Sequence, residues 1–349
     1  MTSFIPAIAG IAAFLVTAFS GFFIIPWLRK LKFGQVILDI GPSWHKNKQG
    51  TPTMGGMMFA LGTVVALIVA IVTDYFTDAG VFFVNTAAMR VQNAKVFAGL
   101  FLAVGLGVVG FLDDFTKIAK KRNLGLTAKQ KSLGQLLVVI VYLVILYCYG
   151  ATSMYIPFLG RFDLANTPLA IVFWVVGIFI VYGTVNAVNL TDGIDGLCSS
   201  VTFVAAVALL VFAAVKQYVG VNTLAACLVG GCAGFLVWNW HPAKAFMGDT
   251  GSMFMGGLVV ALAYALDCPL ILLPIGIIYI VETMSVIIQV TYFKKTGGKR
   301  LFKMSPIHHH FEMSGWSEVK IVGVFSLITL IGCIVAAVLL YFGGYFEVM

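Results

Sequence analysis

Apolar residues run along this chain in unbroken blocks, set apart by short polar segments, with neither strict alternation nor a single apolar face. The blocks lie at 4–28, 54–73, 96–112, 132–150, 168–188, 197–215, 222–238, 251–266, 269–293 and 319–342. Each is close to the roughly twenty residues a helix needs to cross ~30 Å of hydrocarbon. Lipid gives backbone N–H and C=O groups no partner, so a spanning segment is either a helix or part of a closed barrel. A barrel needs strands of alternating polarity, which these blocks are not. The pattern predicts an all-α polytopic membrane protein of about ten transmembrane helices, organised as one integral membrane domain over 1–349.

Composition agrees: 60% of residues are apolar and 10% charged, against about 25% charged in soluble domains, which excludes a water-soluble enzyme. All Lys and Arg except Arg90, Lys95, Arg161 and Lys216 fall in 29–53, 113–131, 239–250 and 294–320. The positive-inside rule makes these segments cytoplasmic and, with ten spans, places both termini outside. The first basic cluster, Arg29, Lys30 and Lys32, follows the first apolar block, so that block reads as a retained span rather than a cleaved signal. Trp27, Trp44, Trp238, Trp240 and Trp316 lie near inner ends, as interfacial anchors do. The net charge of +8 reflects topology and attraction to anionic lipid, not nucleic-acid binding. The six cysteines show no CxxC pair and read as apolar packing. Gly105, Gly107 and Gly110 match GxGxxG inside a span, where small-residue helix packing explains them, as it does Gly230 and Gly234.

The outer loops hold no chemical constellation; the motif-dense segments are all on the inner side. Five of the fourteen carboxylates sit at inner ends of apolar helices: Asp113 and Asp114 in FLDDFTK, Asp192 and Asp195 in NLTDGIDG, and Asp249 in FMGDTGS. Such a gathering of like charge requires an offsetting cation. Asp113 and Lys117 share a helix face at i,i+4, which a plain helix-terminal ion pair also explains. Asn186 and Asn189, followed by Asp192, Gly193 and Asp195, read either as Asx turns between two spans or as groups that bind a base or ribose edge. Asp249 reads either as an N-cap with Thr250 and Ser252 or as a ligand of Mg²⁺, which takes one or two carboxylates plus phosphate oxygens. His308, His309 and His310 are adjacent, so at most two reach one ligand. Glu282 lies mid-span, where a charge costs roughly 2.5–3.5 kcal/mol on insertion scales; it either faces a protein cavity or lies where the helix bends, and no role is assigned to it. Lys48, Lys117, Lys121 and Lys129 are available to phosphate. Together these parts suit phosphoryl transfer between a cytosolic nucleotide and a lipid.

GTPTMGG (50–56), FLDDFTK (111–117), NAVNLTDGIDGL (186–197), HPAKAFMGDTGS (241–252) and SPIHHHFE (305–312) resemble, in order, the motifs of the bacterial phospho-N-acetylmuramoyl-pentapeptide-transferases. These form a branch of the polyprenyl-phosphate N-acetylhexosamine-1-phosphate transferases. The resemblance implies Mg²⁺-dependent transfer of phospho-MurNAc-pentapeptide from UDP-MurNAc-pentapeptide to undecaprenyl phosphate in the bacterial inner membrane, giving lipid I and UMP. That is a step in peptidoglycan synthesis, on which cell shape and division depend. It also implies a homodimer. It places the functional aspartates at Asp113, Asp114 and Asp249, with Asp249 as metal ligand, and the essential histidines at His308 and His309. Asn189, Asp192, Gly193 and Asp195 fall in the uridine and polar region, Asn239 and Gln289 line the same cleft, and Lys48, Thr53, Lys121 and Lys129 form its polar rim. Two alternatives remain at this stage: a transferase that loads GlcNAc-1-phosphate on a polyprenyl phosphate, and a membrane transporter.

Overall fold

The computed structural model describes residues 4–31, 48–83, 86–120, 124–164 and 170–347. Trp44 and Lys121 lie outside them. Helices follow the apolar blocks: α1 (Ile5–Lys30), α2 (Gly56–Thr77), α3 (Ala87–Ala119), α4 (Ala128–Cys148), α5 (Ala170–Thr191), α6 (Leu197–Val215), α7 (Val219–Asn239) and α8 (Gly248–Ala265). A 3₁₀ turn (Pro269–Ile271), the short α9 (Leu272–Ile275), α10 (Ile277–Lys295), α11 (Ile307–Glu312) and α12 (Glu318–Phe342) follow. Among the described residues, nine of these helices are long and apolar enough to cross a bilayer. Large side chains such as Phe22, Phe23, Phe76, Phe179 and Phe342 stand out from the bundle, as a surface solvated by lipid permits.

α8 is not among the nine, for a physical reason. It is the central post of the bundle: every residue from Thr250 to Ala265 is buried, with α2, α3, α5, α6 and α7 around it. A helix enclosed by protein rather than lipid tolerates a polar end, and its first turn carries Asp249 and Thr250. Its longest contact is with α3, made close by small residues. Gly107 lies on Phe254, and Gly110 lies directly on the main-chain carbonyl of Asp249. Gly230 and Gly234 of α7 likewise meet the backbone of α1 at Gly10 and Phe14, so the glycine repeats are packing devices. The six cysteines are free thiols, five of them buried. The Trp238 indole N–H donates to the Ala18 carbonyl at 2.8 Å, fastening α7 to α1.

Two expectations need correction. The chain is not wholly α-helical: Ser153–Ile156 (β1) and Gly160–Asp163 (β2) pair as an antiparallel hairpin, in a connection where short strands need not be shielded from hydrocarbon. The ninth apolar block is not one helix, because the chain breaks at Gly276 between α9 and α10. The connections at the end of the bundle away from the aspartates are also less plain than their sequence. Buried Lys95 of α3 meets Asp267 at 2.7 Å, and Asp267 also accepts from Ser153 at 2.9 Å and Arg161 at 3.3 Å. The Tyr155 hydroxyl donates to the Gly343 carbonyl at 2.6 Å. The hairpin, the end of α8, the start of α3 and the C-terminal turn are thereby tied into one knot.

The α3–α8 contact yields a stability prediction. Gly110→Val forces a side chain into the Asp249 backbone and is expected to cost at least ~1–3 kcal/mol. Gly183→Ala, at a helical position with no neighbour within 4 Å of the new methyl, leaves stability equal or slightly higher. Thermal unfolding of the two variants in detergent checks both.

Candidate active site

Three carboxylates from two motifs converge where α3 meets the first turn of α8. Asp113, Asp114 and Asp249 each present an oxygen, all within 4.8 Å of one another. α3 runs past the apolar block to Ala119, which carries Asp113 and Asp114 on buried positions. Asp249 does not cap α8: the N-cap is Met247 and has no side-chain cap bond. Its carboxylate turns instead to Lys117 at 3.0 Å, Lys131 at 2.8 Å and the Asn189 amide at 2.9 Å. Lys117 also lies 2.6 Å from Asp113 and 3.4 Å from Asp114. Two ammonium groups thus offset three neighbouring carboxylates. Asp114 accepts from the Thr250 N–H at 3.0 Å and hydroxyl at 2.8 Å, and Asp113 from the Leu126 N–H at 2.8 Å. An all-oxygen donor set of this kind fits a hard divalent cation such as Mg²⁺.

The loops that frame the cluster hold each other. Phe246 N–H donates to the Pro52 carbonyl at 2.8 Å, and Gly55 and Gly56 donate to the Phe246 and Met247 carbonyls at 2.8 and 2.9 Å. The GTPTMGG segment therefore lies along the approach to α8 and brings Thr53 to the cluster. Gly248, at φ +71°, is the joint: a Cβ there would press on Asp114 Oδ2 at 2.7 Å and Thr53 Oγ1 at 2.9 Å. Only glycine adopts that conformation in that space.

The NLTDGIDG segment is a tight turn from α5 to α6 on the adjoining side. Asn189 donates to Asp249 and to the Ser252 hydroxyl at 2.8 Å. Enclosure, then the charges of Asp249 and Asp114, push the Asp192 carboxyl up to about 8. Asp195 belongs to a second cluster. Its carboxylate meets Lys48 at 2.7 Å and His241 at 3.0 Å and accepts the Ala243 N–H at 3.0 Å. Glu318, in the first turn of α12, joins the same Lys48 at 2.6 Å. Asn239 stands behind this cluster, accepting from Gly196 N–H at 3.1 Å and donating to the Ala245 carbonyl at 3.0 Å. It fixes the turn to the HPAKAF loop.

The three histidines diverge as their adjacency requires. His308 is fully buried and faces Glu282 at 3.1 Å. His309 meets Glu312 at 2.6 Å, and His310 accepts the Lys303 N–H at 3.1 Å. His308 Nε2 lies against Gly193, where a Cβ would overlap it. The histidine segment and the aspartate turn are therefore in contact.

Residues 96–267 match the family described as glycosyl transferase family 4. Over 335 residues the chain is 44% identical to the phospho-N-acetylmuramoyl-pentapeptide-transferase of Carboxydothermus hydrogenoformans, covering 92% of this chain and 96% of that protein. It is 46% identical over 335 residues to the protein of the same name from Desulforamulus reducens, covering 93% and 94%. With the one from Listeria monocytogenes serotype 4b it shares 44% over 338 residues, covering 95% and 96%. The chain belongs to the phospho-N-acetylmuramoyl-pentapeptide-transferase family. It is a multi-pass membrane transferase.

Within this family member, not every residue expected at the site reaches the carboxylates. Asn186 exchanges hydrogen bonds with Gln135 at 3.1 and 3.3 Å, joining α4 to α5. Gln289 accepts the Leu301 and Phe302 N–H groups at 3.1 and 2.9 Å, folding the following loop onto α10. Lys129 is exposed on the first turn of α4. Sequence reasoning passed over Lys131, Glu318, His241 and the Glu282–His308 contact. Lys131 carried a signal: it shares a helix face, at i,i+4, with Gln135, a polar residue in an apolar span that marks the inward side.

Lys131→Met is therefore expected to slow phospho-sugar transfer about 10²-fold, the scale for removing one donor that offsets charge in a site. Lys129→Met stays within about threefold of the parent. Steady-state rates of the two purified variants settle the contrast.

Proposed function

We propose that this protein transfers phospho-MurNAc-pentapeptide from UDP-MurNAc-pentapeptide to undecaprenyl phosphate in the bacterial plasma membrane, giving lipid I and UMP. The observation that carries the reading is the convergence of Asp113, Asp114 and Asp249 within 4.8 Å, with Lys117 interposed, in a chain that shares its family's name over nearly its whole length. Charge-dense oxygens with lysines beside them suit phosphate chemistry, and their place at one end of the bundle suits a soluble donor and a lipid acceptor.

In this reading α8 is the tenth span: its 18 residues rise about 27 Å. Ten spans put both termini outside and the site at the cytoplasmic face, where the basic segments lie. The protein works as a homodimer. Asp249, with Asp113 and Asp114 beside it, would hold Mg²⁺, which when bound supplies positive charge to the phosphate oxygens. The remaining roles fall to the chain itself. Lys117 and Lys131 neutralise the approaching phosphates. Asp113 orients the lipid phosphate. Thr53 and the turn from Asn189 to Asp195, with Lys48 and Asn239, receive the nucleotide, and His308 and His309 close the far side.

Direct attack is favoured over a phospho-enzyme. An oxygen of the lipid phosphate, already a nucleophile at pH 7, bonds to the β-phosphorus of the donor, and the bond from that phosphorus to the oxygen bridging to the α-phosphate breaks, releasing UMP. Donor alone is then expected to leave no aspartyl-phosphate on the protein; its isolation overturns direct attack. Supplying UDP-MurNAc-pentapeptide and UDP-GlcNAc in parallel with undecaprenyl phosphate tests sugar choice, with UMP release expected only from the first. Asp249→Ala is expected to lower turnover by several orders of magnitude, and chelation of divalent ions to abolish it until Mg²⁺ is restored. Near-normal turnover of Asp249→Ala removes that residue from the site.

A further inference from the structure

Glu282 lies in the second turn of α10 and is fully buried. An ionisable group inside a membrane-spanning helix points to a specific partner and a task. The partner is His308, on a different element. Glu282 Oε1 stands 3.1 Å from His308 Nδ1, and Oε2 accepts the main-chain N–H of the same residue at 3.5 Å. One carboxylate therefore addresses both the ring and the backbone of a single histidine. Buried polar atoms are ordinarily paired, yet Glu282 Oε1 and both ring nitrogens of His308 lack an aligned hydrogen bond. Facing each other at 3.1 Å, Nδ1 and Oε1 are the pairing open to one another at this enclosed spot, and the imidazole is directed by it.

The second ring nitrogen shows where. His308 Nε2 abuts Gly193, the residue after Asp192 in the turn beside the carboxylates. The neighbouring histidines are held differently, His309 by Glu312 three residues on in its own short helix and His310 by the Lys303 main chain. His308 is faced by a carboxylate from another helix, Glu282 of α10.

We propose that Glu282 is the positioning residue of His308. Its carboxylate holds the imidazole at Nδ1, fixes that nitrogen as the one bearing hydrogen, and so keeps the ring, with Nε2 packed on Gly193, pressed against the Asp192–Gly193 turn, which it holds in place beside the site's carboxylates. A carboxylate behind an imidazole sets tautomer and ring direction in this way in general. The inference rests on the transferase reading above.

The test uses the full chain in detergent, with UMP release from UDP-MurNAc-pentapeptide and undecaprenyl phosphate. Glu282→Gln, which keeps the shape, is expected to lower kcat about 10- to 100-fold, the range for partners that orient a functional histidine. KM for either substrate and the thermal midpoint should stay close to the parent's. In a His308→Ala background the same change should add almost nothing, and Glu282→Asp should restore part of the rate. A parental kcat in Glu282→Gln, an equal penalty with and without His308, or a loss of rate matched by a loss of thermal stability each overturns the proposal. Should Glu282→Gln not fold, Glu282→Asp carries the same comparison. If the unaltered protein releases no UMP, the transferase reading fails instead. The ¹⁵N signals of the His308 ring, hydrogen on Nδ1 in the parent and redistributed in Glu282→Gln, still decide the positioning role.

Discussion

Three carboxylates within 4.8 Å repel one another, and one end of this bundle is organised around offsetting that repulsion. Lys117 and Lys131 do so with charge. Thr250, Leu126 and Asn189 do so with hydrogen bonds donated to the same oxygens. Each comes from a different stretch of chain, so the anionic cluster can persist only while α3, α4, α5 and α8 hold their relative places. A cluster that depends on so many elements is also one whose oxygens keep a fixed spacing toward whatever cation or phosphate approaches.

The fold meets this requirement through the α3–α8 pair. Small residues let the two backbones touch over most of their length, and the pair is fastened at both ends. Asp114 is joined to Thr250 at one end, and Lys95 to Asp267 at the other. Glycine at position 110 is thus as much a determinant of the site as the aspartates, because it sets how near Asp249 comes to Asp114. The hairpin and the C-terminal turn secure the far end of the same lever.

Much of this was legible in the sequence, and the exceptions have physical causes. Continuous apolar blocks locate spanning helices because lipid leaves the backbone no other choice. They say nothing of a hairpin of two four-residue strands in a connection between spans, or of a helix break at Gly276 inside an apolar run. The aspartates were found because charge at the end of an apolar helix is out of place. Lys131 was missed in favour of Lys129 because both lie in one basic stretch, and only the helix phase set by the Thr127–Gln130 capping box turns one inward and the other out. Asn186 and Gln289 have the chemistry of ligand-binding amides but spend it on Gln135 and on the main chain after α10. Spacing along a helix does not reveal which amide is already engaged. Glu282 was conspicuous from the sequence, yet its partner is 26 residues away and only the packing of α11 against α10 discloses it.

The burial of α8 has a consequence for the protein in its natural solvent. The helix that carries Asp249 touches other helices on all sides, so changes in bilayer thickness or acyl composition press first on the outer helices, which adjust by tilting. Asp249 itself is shielded from that adjustment, whereas Lys131 and Asn189, carried by the lipid-facing α4 and α5, are not. Where the membrane is remodelled, the countercharge and amide around the carboxylates shift before the post that carries Asp249 does.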